Sequence, residues 1–228
     1  MRAVSIPILV AMGFVLGAAK PSSGWTDASQ QQSRIMGGQF ASCLVKKSRP
    51  AVVATLNAPF GDSNTALRFH GLMRADCMDD LMRPMMMTTP GALAIPPLVV
   101  RGLLYEALYR ADYSSAGGTY AFSGTPVVGY EFAGLEKPGS LGRDYRAFMA
   151  IGECTVRAAP DQARVLILSK PASKQEAAAL AAIRPTRLAC MQPAARQLAF
   201  APAAERGMIA EPLYRLTHAA SRPAGRVN

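Results

Sequence analysis

The sequence predicts a mostly helical protein made of two tandem modules, and three observations support this fold class. The stretch RGLLYEALYR at 101–110 recurs as RGMIAEPLYR at 206–215. Four cysteines fall into two pairs of nearly equal spacing, and apolar residues recur at the three- and four-residue intervals of an α-helix. Of the 228 residues, 50% are hydrophobic and 18% are charged, which is typical of a globular chain with a packed core.

The repeat extends upstream of the ten-residue stretch. At an offset of 105, residues 93–110 and 198–215 are identical at nine of 18 positions without a gap, whereas unrelated stretches share about one. We therefore expect an internal duplication. The predicted organisation is a signal peptide at 1–19, a linker at 20–32, module 1 at 33–113, a connector at 114–145, module 2 at 146–219 and a flexible tail at 220–228.

Residues 1–19 have the organisation of a signal peptide. Arg2 supplies a positive charge, residues 3–19 carry none, and the stretch ends on small residues at 17–19. An uncleaved membrane anchor is the alternative, since 17 uncharged residues reach the lower limit of a membrane span. Proline and glycine interrupt the apolar stretch and favour cleavage. We expect an exported protein, periplasmic or secreted, without a transmembrane helix after cleavage.

The cysteines predict one disulfide inside each module. An even number of cysteines in an exported chain favours disulfides, and four cysteines allow three pairings. If the modules share a fold, the economical pairing is Cys43–Cys77 and Cys154–Cys190, each closing a loop of about 35 residues and contributing roughly 3–4 kcal/mol. Four free thiols or a four-cysteine zinc site are the alternatives; the spacings lack the close cysteine pairs that such zinc sites use.

Proline marks the helix boundaries that we predict. Pro50 suits the first turn of a helix that follows the one carrying Cys43. In module 2, residues 173–176 (SKQE) form a capping box and predict a helix start. Pro185 should kink or split that helix, and Pro212 should delay the start of the last helix to about Glu211.

The connector is rich in glycine and aromatic residues, which predicts a short hairpin or an ordered linker. The repeated stretches carry Glu→Arg pairs four residues apart, which support a helix. The similarity of the two stretches indicates that each forms a core helix of the repeated module. The functional alternative is a groove that binds an anionic ligand, lined by six repeated residues: Arg101, Tyr109, Arg110, Arg206, Tyr214 and Arg215.

A methionine-rich stretch is the second candidate site. Module 1 has eight more residues than module 2 between its second cysteine and the repeated arginine, and insertions in repeats often form loops on a binding face. Thioethers suit Cu(I), although methionine is also a common filler of cores and interfaces. The metal-binding candidates are Met78, Met82, Met85, Met86 and Met87.

The sequence favours a non-catalytic binding or structural protein of the cell envelope. No phosphate-binding glycine loop, dinucleotide fingerprint or zinc-protease motif occurs, so no cofactor is predicted. The net charge of +10 is dispersed, which favours another envelope protein or an anionic envelope component as partner and gives no specific nucleic-acid signature. The alternatives are an enzyme with a site between the modules, using His70 or His218, and a periplasmic copper binder that uses methionine.

Overall fold

The chain is helical in the parts that the structure describes. The structure is a computed structural model, and it describes residues 27–60, 68–69, 71–72, 77, 97–115, 121–122, 124–125, 129–130, 141–193 and 200–221. These residues contain six helices with defined bounds and no β-strand. The helices are α1 (Asp27–Asn57), α2 (Pro97–Tyr113), α3 (Leu141–Ala158), α4 (Pro160–Leu168), α5 (Lys174–Ala189) and α6 (Pro202–Ala220). The predicted mostly helical fold class is confirmed.

Two backbone breaks precede proline residues, one in each half of the chain. In α1, Ser48 has non-helical angles of φ −135° and ψ 33°, two residues before Pro50. Between α3 and α4, Ala159 has φ −143° and ψ 61°, and Pro160 begins α4. Proline is tolerated at a helix start because the amide it lacks would have no intrahelical acceptor there.

The expected late start of the last helix near Glu211 was wrong, because α6 begins at Pro202 and contains Pro212, and Pro185 lies inside α5 without splitting it. Proline removes the hydrogen bond to the carbonyl four residues earlier. Ala181 and Pro185 are both exposed, so solvent reaches that side of α5. In α6 the freed carbonyl belongs to Met208, and α3 lies close against it at Gly152: a Cβ added to Gly152 would sit 2.0 Å from that oxygen. Helix α3 therefore covers the carbonyl that Pro212 leaves without its helical donor.

The two predicted disulfides are present. Cys43 bonds to Cys77 and Cys154 bonds to Cys190, with a Cα–Cα distance of 5.8 Å in each. No cysteine is free. Each bridge links a helix that precedes a proline break to a cysteine 34 or 36 residues further along the chain, which is Cys77 in one bridge and Cys190, directly after α5, in the other.

Helices α2 and α6 form a parallel pair at the centre. Gly102 lies against Gly207 near their beginnings, and Tyr113 Oη lies 3.2 Å from His218 Nδ1 near their ends. Both contacts join residues 105 apart, so the helices run in the same direction. Helix α1 packs on α2, whereas α3 and α4 pack on α6, and α5 covers α3 and α4.

One continuous core joins the two halves. Leu44 and Leu56 from α1 belong to the same buried cluster as Leu104 from α2, Leu166 from α4 and Ile183 from α5. These side chains from both halves are buried against each other, and this stabilises the contact between the halves because apolar area is removed from water. None of the described helices is long and apolar enough to cross a membrane.

Two aromatic residues of the connector are packed in different places: Phe122 belongs to this core, and Tyr130 belongs to a second buried cluster with Tyr145 and Met149. Phe122 and Tyr130 are buried, and Thr125 N donates to Phe122 O over 3.1 Å in a turn. Arg157 Nη1 donates to the same carbonyl over 2.6 Å. Helix α1 begins at Asp27, within the segment predicted as a linker, and α3 begins at Leu141, within the predicted connector. The module boundaries, the hairpin and the tail stay predictions.

Candidate functional site

The arginine of each repeated stretch binds the glutamate of the other. Arg101 Nε and Nη2 each donate to the carboxylate of Glu211 over 2.8 Å. Arg206 Nε donates to Glu106 Oε2 over 2.9 Å, and its Nη2 binds the other oxygen. All four side chains are buried. Two reciprocal, bidentate ion pairs therefore join α2 to α6, and this geometry adds directional specificity to the charge attraction.

The last arginine of each stretch binds the glutamate of its own helix. Arg110 Nε lies 3.1 Å from Glu106 Oε1, and Arg215 Nη2 lies 2.9 Å from Glu211 Oε1. These are the predicted pairs four residues apart, and both are present. Each glutamate thus accepts from two arginines. We call Glu106, Arg206 and Arg110 with their contacts the Glu106 cluster, and Glu211, Arg101 and Arg215 with theirs the Glu211 cluster.

The Glu106 cluster is completed by backbone carbonyls at the end of α4. Arg206 Nη1 donates to Leu166 O over 2.9 Å, and Arg110 Nη2 donates to Ser169 O over 2.6 Å. The last carbonyls of a helix have no intrahelical donors, and the negative end of its dipole favours cations. Both arginines consequently cap α4 while they neutralise Glu106.

The Glu106 cluster also continues into a second carboxylate, that of Glu176. Arg206 Nη1 lies 3.0 Å from Glu176 Oε1, and Arg34 Nη2 binds the same oxygen. One half of the predicted capping box is present and positions Glu176: its amide nitrogen donates to Ser173 Oγ over 3.2 Å at the start of α5, whereas Ser173 N donates to Lys170 O. Glu176 Oε2 accepts from Ala172 N, a residue with a positive φ of 58°. The carboxylate therefore stabilises a strained backbone position.

The Glu211 cluster is completed by aromatic side chains. Tyr145 Oη lies 3.0 Å from both oxygens of Glu211. The Arg101 guanidinium lies 5.2 Å from the ring of Tyr105 and 5.7 Å from the rings of Phe60 and Tyr145. Such distances allow a cation to interact with the faces of aromatic rings. Arg101 Nη2 also donates to Leu56 O over 3.0 Å, at the end of α1.

The charges of the Glu211 cluster follow from these contacts. Burial lowers the pKa of Arg101, but the charge and hydrogen bonds of Glu211 outweigh it and raise that pKa above its ordinary value. Burial and the charge of Glu211 raise the pKa of Tyr105 to about 12, and the same two causes raise the pKa of Tyr145. Both tyrosines are therefore neutral donors at physiological pH.

The repeated tyrosines have different environments. Tyr109 is fully buried in the core, and Arg164 Nη1 donates to its hydroxyl over 3.3 Å. Tyr214 is half-buried, donates to Asp112 Oδ2 over 3.2 Å and stacks on the ring of His218. Burial and the Asp112 carboxylate raise the pKa of Tyr214 to about 12. The two equivalent positions thus serve packing in one helix and a polar surface in the other.

The six residues predicted as a ligand groove all lie on the two central helices. Arg101, Tyr109 and Arg206 have exposed fractions of 1%, 0% and 4%. An anion that reached Arg101 would have to compete with the Glu211 carboxylate, so the arrangement favours the structural interpretation of the repeat. Anion binding by all six residues stays a prediction.

The methionine-rich stretch and the two histidines are the remaining candidate residues. The five methionines and His70 lie outside the described residues. His218 is described and contacts Tyr113 and Tyr214. Within the part of the chain that the structure describes, no group of three His, Cys, Asp or Glu side chains is close enough to hold a metal ion.

The sequence interpretation missed the exchange between the repeats, as well as Arg34, Glu176 and Tyr145. A signal for the exchange was present. The two stretches keep arginine, glycine and glutamate at identical positions, while apolar positions such as Leu103 and Leu104 become Met208 and Ile209. Charged residues that are retained more strictly than apolar ones in a buried repeat indicate that they pair with each other.

A small pocket lies beside the Glu106 cluster, with a volume of about 120 Å³. Helix α1 contributes Arg34 and Gly37, α2 contributes Val99 and Leu103, and α6 contributes Ala203, among other residues. Both halves of the chain therefore form its wall. No family model, curated protein or solved structure matches the chain.

Proposed function

We propose that this chain is an exported, non-catalytic binding or structural protein of the cell envelope, built by duplication of one helical module. The observation that carries the proposal is the reciprocal exchange of Arg101–Glu211 and Arg206–Glu106. These charged groups bind the two central helices to each other, which is a structural role and not a catalytic one. The repeated stretch then joins the two modules.

Several paired features support the duplication. Each half has a helix with a cysteine, a break before proline, a short helix and a disulfide, followed by a central helix. Arg101 caps the short helix of its half at Leu56, and Arg206 caps the short helix of the other half at Leu166. Equivalent arginines therefore make equivalent capping contacts.

Export is supported by the apolar N-terminal segment and by the two disulfides, since disulfides persist in oxidising compartments. The test is expression of the full chain in a bacterial host, followed by fractionation, determination of the mature N-terminus and non-reducing peptide mass spectrometry. We expect periplasmic or secreted protein that begins near Lys20 with both bridges formed. Leu9→Arg is the control, because a charge in the apolar stretch should retain the protein in the cytoplasm. Full-length wild-type protein with free thiols in the cytoplasm would contradict the proposal.

An anionic envelope component is the proposed partner. Lys46 and Lys47 are exposed on α1, and the whole chain carries a net charge of +10. We expect the mature protein to co-sediment with phosphatidylglycerol vesicles and not with phosphatidylcholine vesicles, and to be released by salt. Replacing both lysines by glutamine should weaken binding more than the same change at the exposed pair Lys170 and Lys174. Absence of binding at low salt would exclude this partner class and leave an envelope protein.

A further inference from the structure

The pocket beside the Glu106 cluster is lined by apolar and by charged residues. Val99, Leu103 and Ala203 are apolar lining residues, and the charged ones are Arg34, Arg206 and Glu106. The volume of about 120 Å³ is smaller than the cavity of about 150 Å³ that holds benzene in an engineered protein. A molecule of this size has only a few non-hydrogen atoms.

The charged residues at the pocket have one positive charge in excess. Their chain of contacts runs Arg34, Glu176, Arg206, Glu106 and Arg110, which is three arginines against two glutamates. Glu106 and Glu176 are buried, so solvent screens this excess less than it would on an open surface. An anion bound in the pocket would balance it.

Arg34 has donors that remain available to such an anion. Its Nη2 binds Glu176, and the structure records no hydrogen bond from its Nε or Nη1 to the described residues. The side chain of Arg34 is 19% exposed, whereas that of Arg206 is 4% exposed and fully engaged with carboxylates and carbonyls. Arg34 is therefore the residue of the pocket wall that can meet a ligand without losing its present partner.

We propose that the pocket binds a small monocarboxylate with a short apolar chain of about three to five carbons. The carboxylate binds Arg34, and the chain lies against Val99, Leu103 and Ala203. This site deepens the proposed binding function and rests on it. Both halves supply the wall, so the ligand also stabilises the contact between them.

The test uses the mature, disulfide-bonded protein with butyrate as the probe. Butyramide has the same shape without the charge, and sodium chloride at equal ionic strength controls for salt. Binding is followed by chemical-shift perturbation and by the melting temperature. We expect saturable binding of butyrate and binding of butyramide that is at least about tenfold weaker, because a charged hydrogen bond is lost.

Two variants locate the site. Ala203→Leu fills the pocket and should abolish butyrate binding, whereas Ala177→Leu, an exposed substitution of the same kind on α5, should leave it unchanged. Arg34→Met should raise the dissociation constant by about tenfold or more, and the exposed Arg146→Met is its control. If Ala203→Leu does not fold, the dissociation constant of Arg34→Met for butyrate tests the proposal.

Equal binding of butyrate and butyramide, or unchanged binding in Arg34→Met, would overturn the proposal. The outcome is separable from the export experiment. If the protein is exported but does not bind butyrate, the ligand proposal is wrong and the proposed envelope function is unaffected. If the protein stays in the cytoplasm but binds butyrate through Arg34, the proposed export is wrong and the ligand proposal is unaffected.

Discussion

The Glu106 cluster and the Glu211 cluster start from the same residue types and are completed differently. In each, one glutamate is held by the arginine of its own helix and by the first arginine of the other repeat. Around Glu106 the remaining donors meet carbonyls of α4 and the carboxylate of Glu176. Around Glu211 the Tyr145 hydroxyl donates to the carboxylate, and the Arg101 guanidinium lies over the ring of Tyr105.

The difference shows how a buried guanidinium can be satisfied in two ways. Arg206 uses hydrogen bonds for its donors, because the end of α4 offers carbonyls. Arg101 has one nitrogen, Nη1, without a hydrogen-bond partner among the described residues, and three rings surround its guanidinium instead. The residues of the ion pair thus belong to the repeated stretches, whereas the other contacts of each guanidinium are made by residues outside them or by residues that the two stretches do not share.

The largest effect is expected when the first arginine of either stretch is removed. Arg206→Met and Arg101→Met should each lower the free energy of unfolding by about 3–5 kcal/mol, because a buried glutamate loses its bidentate partner. Arg206→Met should lie at the upper end, since two glutamates and the end of α4 lose a donor. Urea unfolding with intact disulfides measures both.

A matched pair of controls separates charge from packing. Exposed Arg184→Met should change stability by less than about 0.5 kcal/mol. The double substitution Arg101→Met with Glu211→Leu should recover much of the loss, because an apolar pair leaves no unpaired charge. Losses below about 1 kcal/mol for both single variants would refute a stabilising role for the exchange.

The helix contact between the clusters should respond unequally to alanine. A Cβ at Gly102 would sit 2.5 Å from Gly207 Cα, whereas one at Gly207 would sit 3.3 Å from Gly102 Cα. We expect Gly102→Ala to lower stability by about 1–3 kcal/mol and Gly207→Ala by less, as thermal unfolding will measure. Gly71→Ala is the control, because no atom of the described residues lies within 4 Å of its added Cβ. Equal effects at both glycines would contradict this asymmetric contact.

Alkaline pH should destabilise the Glu211 cluster through Tyr105. The pKa of Tyr105 is raised from 10.0 to about 12, so the folded state holds the phenolic proton more tightly than the unfolded state. Its contribution is complete below pH 10 and is lost as the pH rises through 10 to 12. Linkage predicts a loss of about 1 kcal/mol between pH 9 and pH 11 from this residue.

The measurement compares unfolding free energies of the wild type and Tyr105→Phe at pH 9 and pH 11, during exposures short enough to keep the disulfides intact. The variant should lose less stability over this interval. Ala210 occupies the equivalent position in α6, so the Glu106 cluster has no tyrosine there. An identical pH dependence in the variant would show that Tyr105 does not contribute.

The smallest effect is expected for the last arginines of the two stretches. The side chains of Arg110 and Arg215 are 30% and 24% exposed, so solvent weakens their ion pairs. Arg110→Met and Arg215→Met should each cost about 0.5–1 kcal/mol, and high salt should reduce the difference from wild type. Chemical unfolding at low and high salt measures this, and a cost as large as that of Arg206→Met would show that the two arginines have equal roles.

Much of the local structure could be predicted because its causes are local. The helical spacing of apolar residues, the Ser173 cap and the Glu106–Arg110 pair all involve residues within one or two helical turns. The disulfide pairing needed one further step, since it depended on two similar halves. In each case neighbouring residues, or a repeated pattern, contain the information.

The sequence by itself therefore determined the helical fold class, the Ser173 cap and the two bridges, because propensity, capping and spacing act over short distances along the chain. Only the tertiary structure decided that Arg101 and Arg206 exchange partners, that α6 continues through Pro212, and that one cluster is polar and the other aromatic. These outcomes depend on which residues from distant segments lie within hydrogen-bond or ring-contact distance. A carbonyl of Leu166 or a ring of Tyr145 becomes a neighbour only when the helices have packed.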